Sequence, residues 1–240
     1  MTPEQTAHDT RHDIVHTTSL FMNDPATYKH GNALGFDGID FYFAGRGGVL
    51  GDVAADIVVA AMVFFPDHAI RARWERSGLI MTRRRAASEF ALCAHTWAEE
   101  HIPATVDAPR LADLAGRIVD DASPAGAPLF AGWRLLDRPR SPKALAIHHL
   151  NGLRELRGAA HASAILTVGL TPHEAVTVAA PNLLSLYDWP EPHPGPGPLR
   201  ERWQLAEART DRIFGRKLAV LDETERKEFA DLLALVRGVP

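Results

Sequence analysis

The chain contains 240 residues, of which 46% are hydrophobic and 23% are charged, and its formal net charge at pH 7 is −4. This composition is typical of a globular protein that buries a core of its own. The negative charge does not indicate nucleic-acid binding, which usually shows as a basic stripe or a high pI. Cys93 is the single cysteine, so no internal disulfide can form. A chain without disulfides fits a reducing cytoplasm.

Neither the N-terminus nor the longest apolar run predicts export or membrane insertion. Residues 1–13 are polar and charged and lack the apolar stretch of a signal peptide. The longest apolar run, residues 57–66, is about half as long as a helix that spans a bilayer. We therefore expect a soluble cytoplasmic protein without a membrane partner.

The first half of the chain shows apolar residues at helical spacing. His8, His12 and His16 lie four residues apart, and without a Cys or acidic ligand nearby we interpret them as a solvated helix face. A helix is predicted between residues 36 and 51, and the glycine-rich segment Gly45–Gly48 is expected to end it. Its glycines allow either a close backbone approach or a positive φ. Two further predicted helices, residues 67–78 and 83–101, are separated by Gly78. The arginines at 83–85 are interpreted as a solvated first turn.

The segment Pro142–Gly169 is predicted to form one long helix. Ser141 and Pro142 are typical of a helix start, and Gly169 of a helix end. Apolar residues fill most of its surface, so its polar side chains need partners, which are either neighbouring helices or a ligand. These polar side chains are His148, His149, Asn151, Arg154, Glu155, Arg157 and His161.

The sequence pattern also predicts helices in the second half of the chain. Thr171 and Glu174 form a capping-box pattern, and Pro181 interrupts the helix that follows. No strand pair and no internal repeat is evident, so the predicted fold is an all-α bundle of about nine to eleven helices. The predicted organisation is a helical core with a ligand pocket at residues 1–187, a Pro/Gly-rich connector at 188–198, and a C-terminal helical pair at 199–240.

Three segments are similar to motifs of a known family. They are Gly38–Gly51, with its aromatic residues and Arg46; Ser123–Ala131; and His148–His161, with its Leu-Arg-Glu run. Together they resemble an actinobacterial helix-turn-helix-like family related to MarR-type regulators. The resemblance implies a MarR-like bundle, a homodimer formed by the C-terminal helices, and a pocket against the central helix. It implies ligand-binding roles for Tyr42, Arg46, Arg154, Arg157 and His161, with His148 and Glu155 beside them.

The chain departs from that family in two ways. Leu156 and Ala159-Ala160 replace a histidine and an Asp-Gly pair of the family motif. A MarR-like recognition helix would lie near Thr171–Tyr187 and be followed by a basic wing. However, no Lys or Arg occurs from Gly158 to Pro198. Because phosphate contacts need cationic or well-placed donor side chains, we expect that this chain has no nucleic-acid partner.

The sequence is compatible with three functions. The first is a small-molecule-binding protein on a MarR-related scaffold that has lost DNA binding, with Arg154 and Arg157 holding a carboxylate or phosphate. The second is a tailoring enzyme for a small metabolite, with His148 as the general base and Glu155 as its orienting carboxylate. The third is a ligand-responsive transcriptional regulator. The sequence contains no cofactor fingerprint and no complete set of metal ligands, so no cofactor and no metal site is assigned.

Overall fold

The computed structural model describes residues 1–238. This part of the chain contains twelve α-helices, two short 3-10 helices and no strand, which confirms the all-α prediction with one helix more than expected. No helix within it is long and apolar enough to cross a membrane. The α-helices are α1 Pro3–Asn23, α2 Pro25–Ala33, α3 Asp40–Gly48, α4 Ala55–Ala61, α5 Asp67–Gly78, α6 Arg83–His101, α7 Ala108–Asp121, α8 Pro128–Trp133, α9 Pro142–Thr167, α10 Pro172–Ala179, α11 Arg200–Leu218 and α12 Glu223–Arg237.

Helix α9 is the centre of the bundle. The prediction of one long helix from Pro142 is confirmed, although the helix ends at Thr167 and not at Gly169. It begins at Pro142, and Gly169 adopts a positive φ of 74° just beyond its end. Helices α1, α6, α7, α8 and α11 all pack against it, so most of its surface is covered. Leu150 and Leu153 are completely buried. Truncating such a leucine to alanine typically costs about 2–5 kcal/mol of stability.

Helix α3 ends within the glycine-rich segment Gly45–Gly48, as predicted, but these glycines are themselves helical. Helix α3 continues through these residues to Gly48. A Cβ on Gly45 would lie closer than 3.0 Å to the Phe90 side chain, and a Cβ on Gly48 equally close to the Arg83 carbonyl oxygen. The glycines therefore allow α3 to pack closely on α6. In a helix, glycine costs about 0.5–1 kcal/mol relative to alanine, so this close approach explains why it is used here.

The predicted capping box at the start of α10 and the predicted interruption at Pro181 are both observed. The backbone N–H of Glu174 donates to Thr171 Oγ1 at 3.2 Å, and the backbone N–H of Thr171 donates to Glu174 Oε2 at 2.8 Å, which completes the capping box. Helix α10 ends at Ala179, and a 3-10 turn begins at Pro181, since proline cannot donate to a continuing helix. Helix α11 then packs along α1 and α9, and α12 along α1 and α7. The division into core, connector and C-terminal pair stays a prediction.

Candidate functional site

A pocket of about 560 Å³ lies beside the C-terminal half of α9. Its volume is in the range of pockets that hold small organic ligands. Its walls come from α1, α3, α9, α10 and α11 and from the segments that follow α4 and α10. All five side chains predicted to bind ligand line it: Tyr42, Arg46, Arg154, Arg157 and His161.

Helical spacing explains why these side chains meet. Arg154, Arg157 and His161 are three and four residues apart on α9, so they share one face of the helix. Tyr42 and Arg46 are one turn apart on α3 and approach the pocket from the other wall. The site therefore forms where the polar face of α9 meets the aromatic face of α3.

Arg46, Glu155 and Arg154 form a compact charged group, here called the arginine–glutamate triad. Arg46 donates from Nε and Nη2 to the two carboxylate oxygens of Glu155, both at 2.8 Å, and Arg154 Nη1 donates to Oε1 at 2.9 Å. Arg46 Nη1 also donates to the Tyr42 hydroxyl oxygen at 2.6 Å. Two positive charges face one negative charge, so the triad carries a net positive charge at the pocket wall.

Burial and charge act in opposite directions on Glu155. Its side chain is only 4% exposed, and burial raises the pKa of its carboxyl group. The charges of Arg46 and Arg154 and their hydrogen bonds outweigh that effect, so the pKa lies below its ordinary value. Glu155 is therefore ionised at neutral pH and serves as a counter-ion for the two arginines.

A second group of charges at the pocket is balanced internally. Arg157 Nη2 donates to Glu207 Oε2 at 2.8 Å, and Arg11 Nη1 donates to Asp211 Oδ2 at 3.2 Å. Both acids lie on α11, so Arg157 and Arg11 attach α9 and α1 to that helix. Two cations and two anions leave no net charge here. The net positive charge of the pocket comes from the triad.

Arg154 has donor capacity that the protein does not use. Its Nε atom is buried and has no hydrogen-bond partner within residues 1–238, and its side chain is 17% exposed. A buried donor without a partner costs about 1–3 kcal/mol. An acceptor placed in the pocket would relieve this cost, and an anionic acceptor would also balance the charge of the triad.

His161 is a neutral part of the pocket wall. Its Nδ1 atom lies 2.9 Å from Thr210 Oγ1, and its ring packs against those of Phe64 and Trp203. Burial lowers the pKa of His161 to about 4, so the ring is uncharged at neutral pH. It contributes a polar atom and a flat surface and no charge.

Aromatic rings form much of the remaining wall. The ring of Tyr187 lies 4.5 Å from that of Phe65, and Trp203 closes the side towards α11. Burial raises the pKa of Tyr187 to about 12, with a further contribution from Tyr42, so its hydroxyl group stays a hydrogen-bond donor. Neither Tyr187 nor Trp203 is predicted as a site residue from the sequence. Both lie outside the motif segments and far along the chain from Arg46.

His148 does not reach this pocket. It is 2% exposed, its Nδ1 atom lies 3.2 Å from His95 Nε2, and Trp133 Nε1 donates to its carbonyl oxygen at 2.8 Å. Burial, followed by the neighbouring His95, lowers its pKa to about 3. The structure therefore does not bring His148 and Glu155 together as base and orienting carboxylate. A spacing of seven residues puts them on one face but about 10 Å apart along the axis.

The three N-terminal histidines lie on the exposed side of α1, as expected. His8 Nδ1 lies 3.1 Å from Asp211 Oδ2, and His12 lines the pocket. Across residues 1–238, no group of three or more His, Cys, Asp or Glu side chains is arranged to hold a metal ion.

A helix-turn-helix family model matches residues 7–191, which run from α1 to beyond α10. The chain belongs to this helix-turn-helix family. Among curated proteins and solved structures, nothing matches it significantly. The relation to MarR-type regulators stays a prediction.

The family match overturns the expectation that the chain has no nucleic-acid partner. Helix-turn-helix units typically place their second helix in the major groove of DNA. The earlier expectation considered the net charge and the segment Gly158–Pro198, but the matched region also contains α5 and α6, which carry six arginines within residues 71–85. A chain with a negative net charge can still present a local basic surface.

Proposed function

We propose that this protein is a ligand-responsive transcriptional regulator. In this proposal a small organic anion binds in the pocket beside α9, and its binding changes the affinity of the helix-turn-helix for DNA. The observation that carries the proposal is the arginine–glutamate triad, a net positive charge with an unused donor on Arg154, in the pocket of a helix-turn-helix family member.

The balance of charges indicates which anion fits. One negative charge on the ligand neutralises the triad, whereas a doubly charged phosphate would leave an excess negative charge in a mostly buried place. A guanidinium group and a carboxylate also match each other in geometry through paired hydrogen bonds. Arg154 is the anchor in this arrangement because Arg46 is already engaged at both Nε and Nη2 by Glu155.

The rest of the pocket suits a flat apolar body. Phe65, Tyr187 and Trp203 supply aromatic surface, and α10 contributes Val176 and neighbouring small residues. Aromatic pairs in offset or edge-on arrangement contribute about 0.5–1.5 kcal/mol beyond the area that they bury. The proposed effector is therefore a monocarboxylate with an aromatic or similarly planar apolar body.

The ligand part of the proposal is tested by calorimetric titration with naphthoate and its uncharged counterpart naphthamide. We expect naphthoate to bind more tightly, and Arg154→Gln to weaken its binding by about ten- to a hundredfold, because a hydrogen bond to a charged group contributes about 1.5–3 kcal/mol. Arg209→Gln is the matched control, since Arg209 is exposed on α11 and does not line the pocket. Equal binding of both probes, or an unchanged affinity in Arg154→Gln, would contradict the proposed anion site.

The regulatory part is tested with duplex DNA selected from a random-sequence library. The wild-type protein should retain a specific duplex in a mobility-shift assay, and naphthoate should change its affinity while naphthamide does not. Coupling between two sites typically changes affinity by about 5–150-fold. If no duplex is enriched above the starting library, the regulator assignment fails even where naphthoate binds.

A further inference from the structure

We infer that the DNA-contacting surface is the unit formed by α5, the turn Leu79–Thr82 and the first turn of α6, with Arg84 and Arg85 as phosphate-contacting side chains. This inference rests on the proposed function, because it supplies the surface through which such a regulator would bind DNA. It concerns a part of the molecule separate from the ligand pocket. Neither Arg84 nor Arg85 lines that pocket.

Turn length narrows the choice of helix pair. A helix-turn-helix joins its two helices through three or four residues, often with a glycine nearby. Within the family-matched residues 7–191, only two connections between consecutive α-helices are four residues long: the one from α5 to α6 and the one from α9 to α10. In the first pair, α5 ends at Gly78 and α6 begins after the cap residue Thr82, whose Oγ1 accepts from the backbone N–H of Arg85.

The second of these pairs does not present a DNA-binding face. Helix α10 has eight residues and contains no Lys or Arg. Its ionisable side chains are those of His173 and Glu174, and Glu174 is an anion. Ala175 and Val176 face the ligand pocket, and Ala179 is the one residue of the helix that is largely exposed. A helix that closes a pocket with its apolar face and carries a carboxylate at its start would repel a phosphate backbone.

The arginines of α5 are committed to the protein. Arg71 is ion-paired with Asp56, Arg73 donates to Asp188 at 2.6 Å, and Arg76 donates to Asp40 from two nitrogens at 2.9 Å each. These pairs attach α5 to its surroundings and neutralise its charge. Helix α5 is therefore a supporting element of the unit.

The arginines in the first turn of α6, in contrast, are not engaged in close ion pairs. Arg84 is exposed and has no ion-pair partner within residues 1–238, and Arg85 is 64% exposed with Glu89 no closer than 3.6 Å. Both side chains lie at the N-terminus of a 19-residue helix, where the partial positive charge of the helix dipole also favours phosphate. The exposed acid closest in sequence is Glu75, on the preceding helix.

Arg83 fixes the turn that presents these two arginines. Its guanidinium carbon lies 3.8 Å from the centre of the Trp74 ring, and its Nη1 atom donates to Ser77 Oγ at 2.6 Å. The Arg83 guanidinium group fits there because residue 78 is a glycine; a Cβ on residue 78 would lie only 2.5 Å from Arg83 Nη2. Leu79, at the tip, is 89% exposed. A rigid turn with an exposed leucine and two exposed arginines suits contact with a groove and its backbone.

Helix α3 links this unit to the ligand pocket. Arg46 of α3 belongs to the triad, while a Cβ on the next residue, Gly47, would lie 3.0 Å from the Trp74 ring. Gly48 packs on the backbone of Arg83. If a ligand at the triad shifted α3, the turn Leu79–Thr82 would therefore move as well, since close-packed interiors transmit displacement.

The test is fluorescence anisotropy with a labelled random-sequence duplex at a series of KCl concentrations. The double variant Arg84→Ala/Arg85→Ala should bind about tenfold or more weakly than wild type. Its plot of log affinity against log salt should be shallower by about 2, because each phosphate contact contributes about 0.9 to the slope. Arg84→Lys/Arg85→Lys keeps the charges and should retain most of the generic affinity.

The matched control is Arg209→Ala/Arg212→Ala, which removes two exposed arginines from α11 and so changes the net charge equally. We expect its affinity and salt slope to stay close to wild type. If both double variants weaken binding alike, or if Arg84→Ala/Arg85→Ala binds as wild type does, this surface assignment is overturned while the proposed function stands. If the wild type itself binds no duplex, both the proposed function and this surface assignment are contradicted.

Discussion

The two halves of α9 carry similar polar side chains, but their neighbours differ. In the N-terminal half, His148 and His149 form a layer with His95 of α6, here called the histidine layer. His149 Nδ1 lies 3.0 Å from the Ala112 carbonyl oxygen, and His148 lies against His95. Desolvation lowers the pKa of all three rings, so the layer is uncharged at neutral pH. The two contacts lie within the protein, while His149 Nε2 and both polar atoms of the Asn151 side chain are buried without a hydrogen-bond partner in residues 1–238.

The C-terminal half keeps its charges and faces a pocket. Glu155 remains ionised there because it lies between Arg46 of α3 and Arg154, and the protein leaves donor capacity on Arg154 unused. Polar residues on an enclosed helix are thus not sufficient to form a binding site. What differs between the halves is whether the opposing helix supplies a neutral partner, an opposite charge or open space.

The largest expected effect comes from removing the negative charge of the triad. Glu155→Gln leaves Arg46 and Arg154 facing each other in a mostly buried place, and breaking a buried ion pair on one side typically costs about 3–5 kcal/mol. We expect a fall of that size in the unfolding free energy measured by urea denaturation. Glu100→Gln, an exposed substitution on α6, should change it by less than about 0.5 kcal/mol. A similarly small change in Glu155→Gln would mean that water screens the triad.

The histidine layer predicts a pH dependence of stability. The folded pKa values of His95 and His148 lie at about 4 and about 3, below the ordinary value of 6.5 that applies to the unfolded chain. Between these values the unfolded state binds more protons, so stability is complete above pH 6.5 and falls as the pH decreases towards 3. Urea denaturation across this range should show the fall.

The contribution of His148 to this dependence can be isolated. In His148→Gln the side chain stays polar but does not titrate, so the loss of stability on acidification should be smaller than in wild type. His12→Gln serves as the control, since it removes a histidine of α1 that lies away from the layer. Parallel profiles for wild type and His148→Gln would show that carboxylates, and not the histidine layer, determine acid sensitivity.

The sequence predicted the parts of this comparison that depend on local chemistry. Ser141-Pro142 and Gly169 gave the ends of α9, and spacings of three and four gave the shared face of Arg154, Arg157 and His161. These features follow from helix geometry alone. The pocket that they line also includes Tyr187, from the segment after α10, and Trp203, on α11. Both are far along the chain from α3, so only tertiary packing shows that they meet there.

One error and one open alternative have physical causes that a sequence does not resolve. The spacing of seven between His148 and Glu155 fixes their direction around the helix, but their separation along the axis prevents contact. The glycines at 45, 47 and 48 left two uses open, a positive φ at the helix end or close packing of two helices, and the structure uses them for close packing. Only the position of Phe90 and Arg83 on α6 distinguishes the two uses.

The smallest expected effect compares one glycine from each region. Gly158 lies in the interior of α9 at the pocket, and a Cβ added there meets nothing within 4 Å, so Gly158→Ala should stabilise the protein by about 0.5–1 kcal/mol through its effect on the helix backbone. Gly116 of α7 packs on the histidine layer, where a Cβ would lie 2.7 Å from His149 Cε1. Gly116→Ala should therefore destabilise the protein, because the ring must move away from its hydrogen bond to Ala112. Thermal unfolding of the two variants should shift the midpoint in opposite directions, and a shift of the same sign in both would mean that the histidine layer is as tolerant of added volume as the pocket.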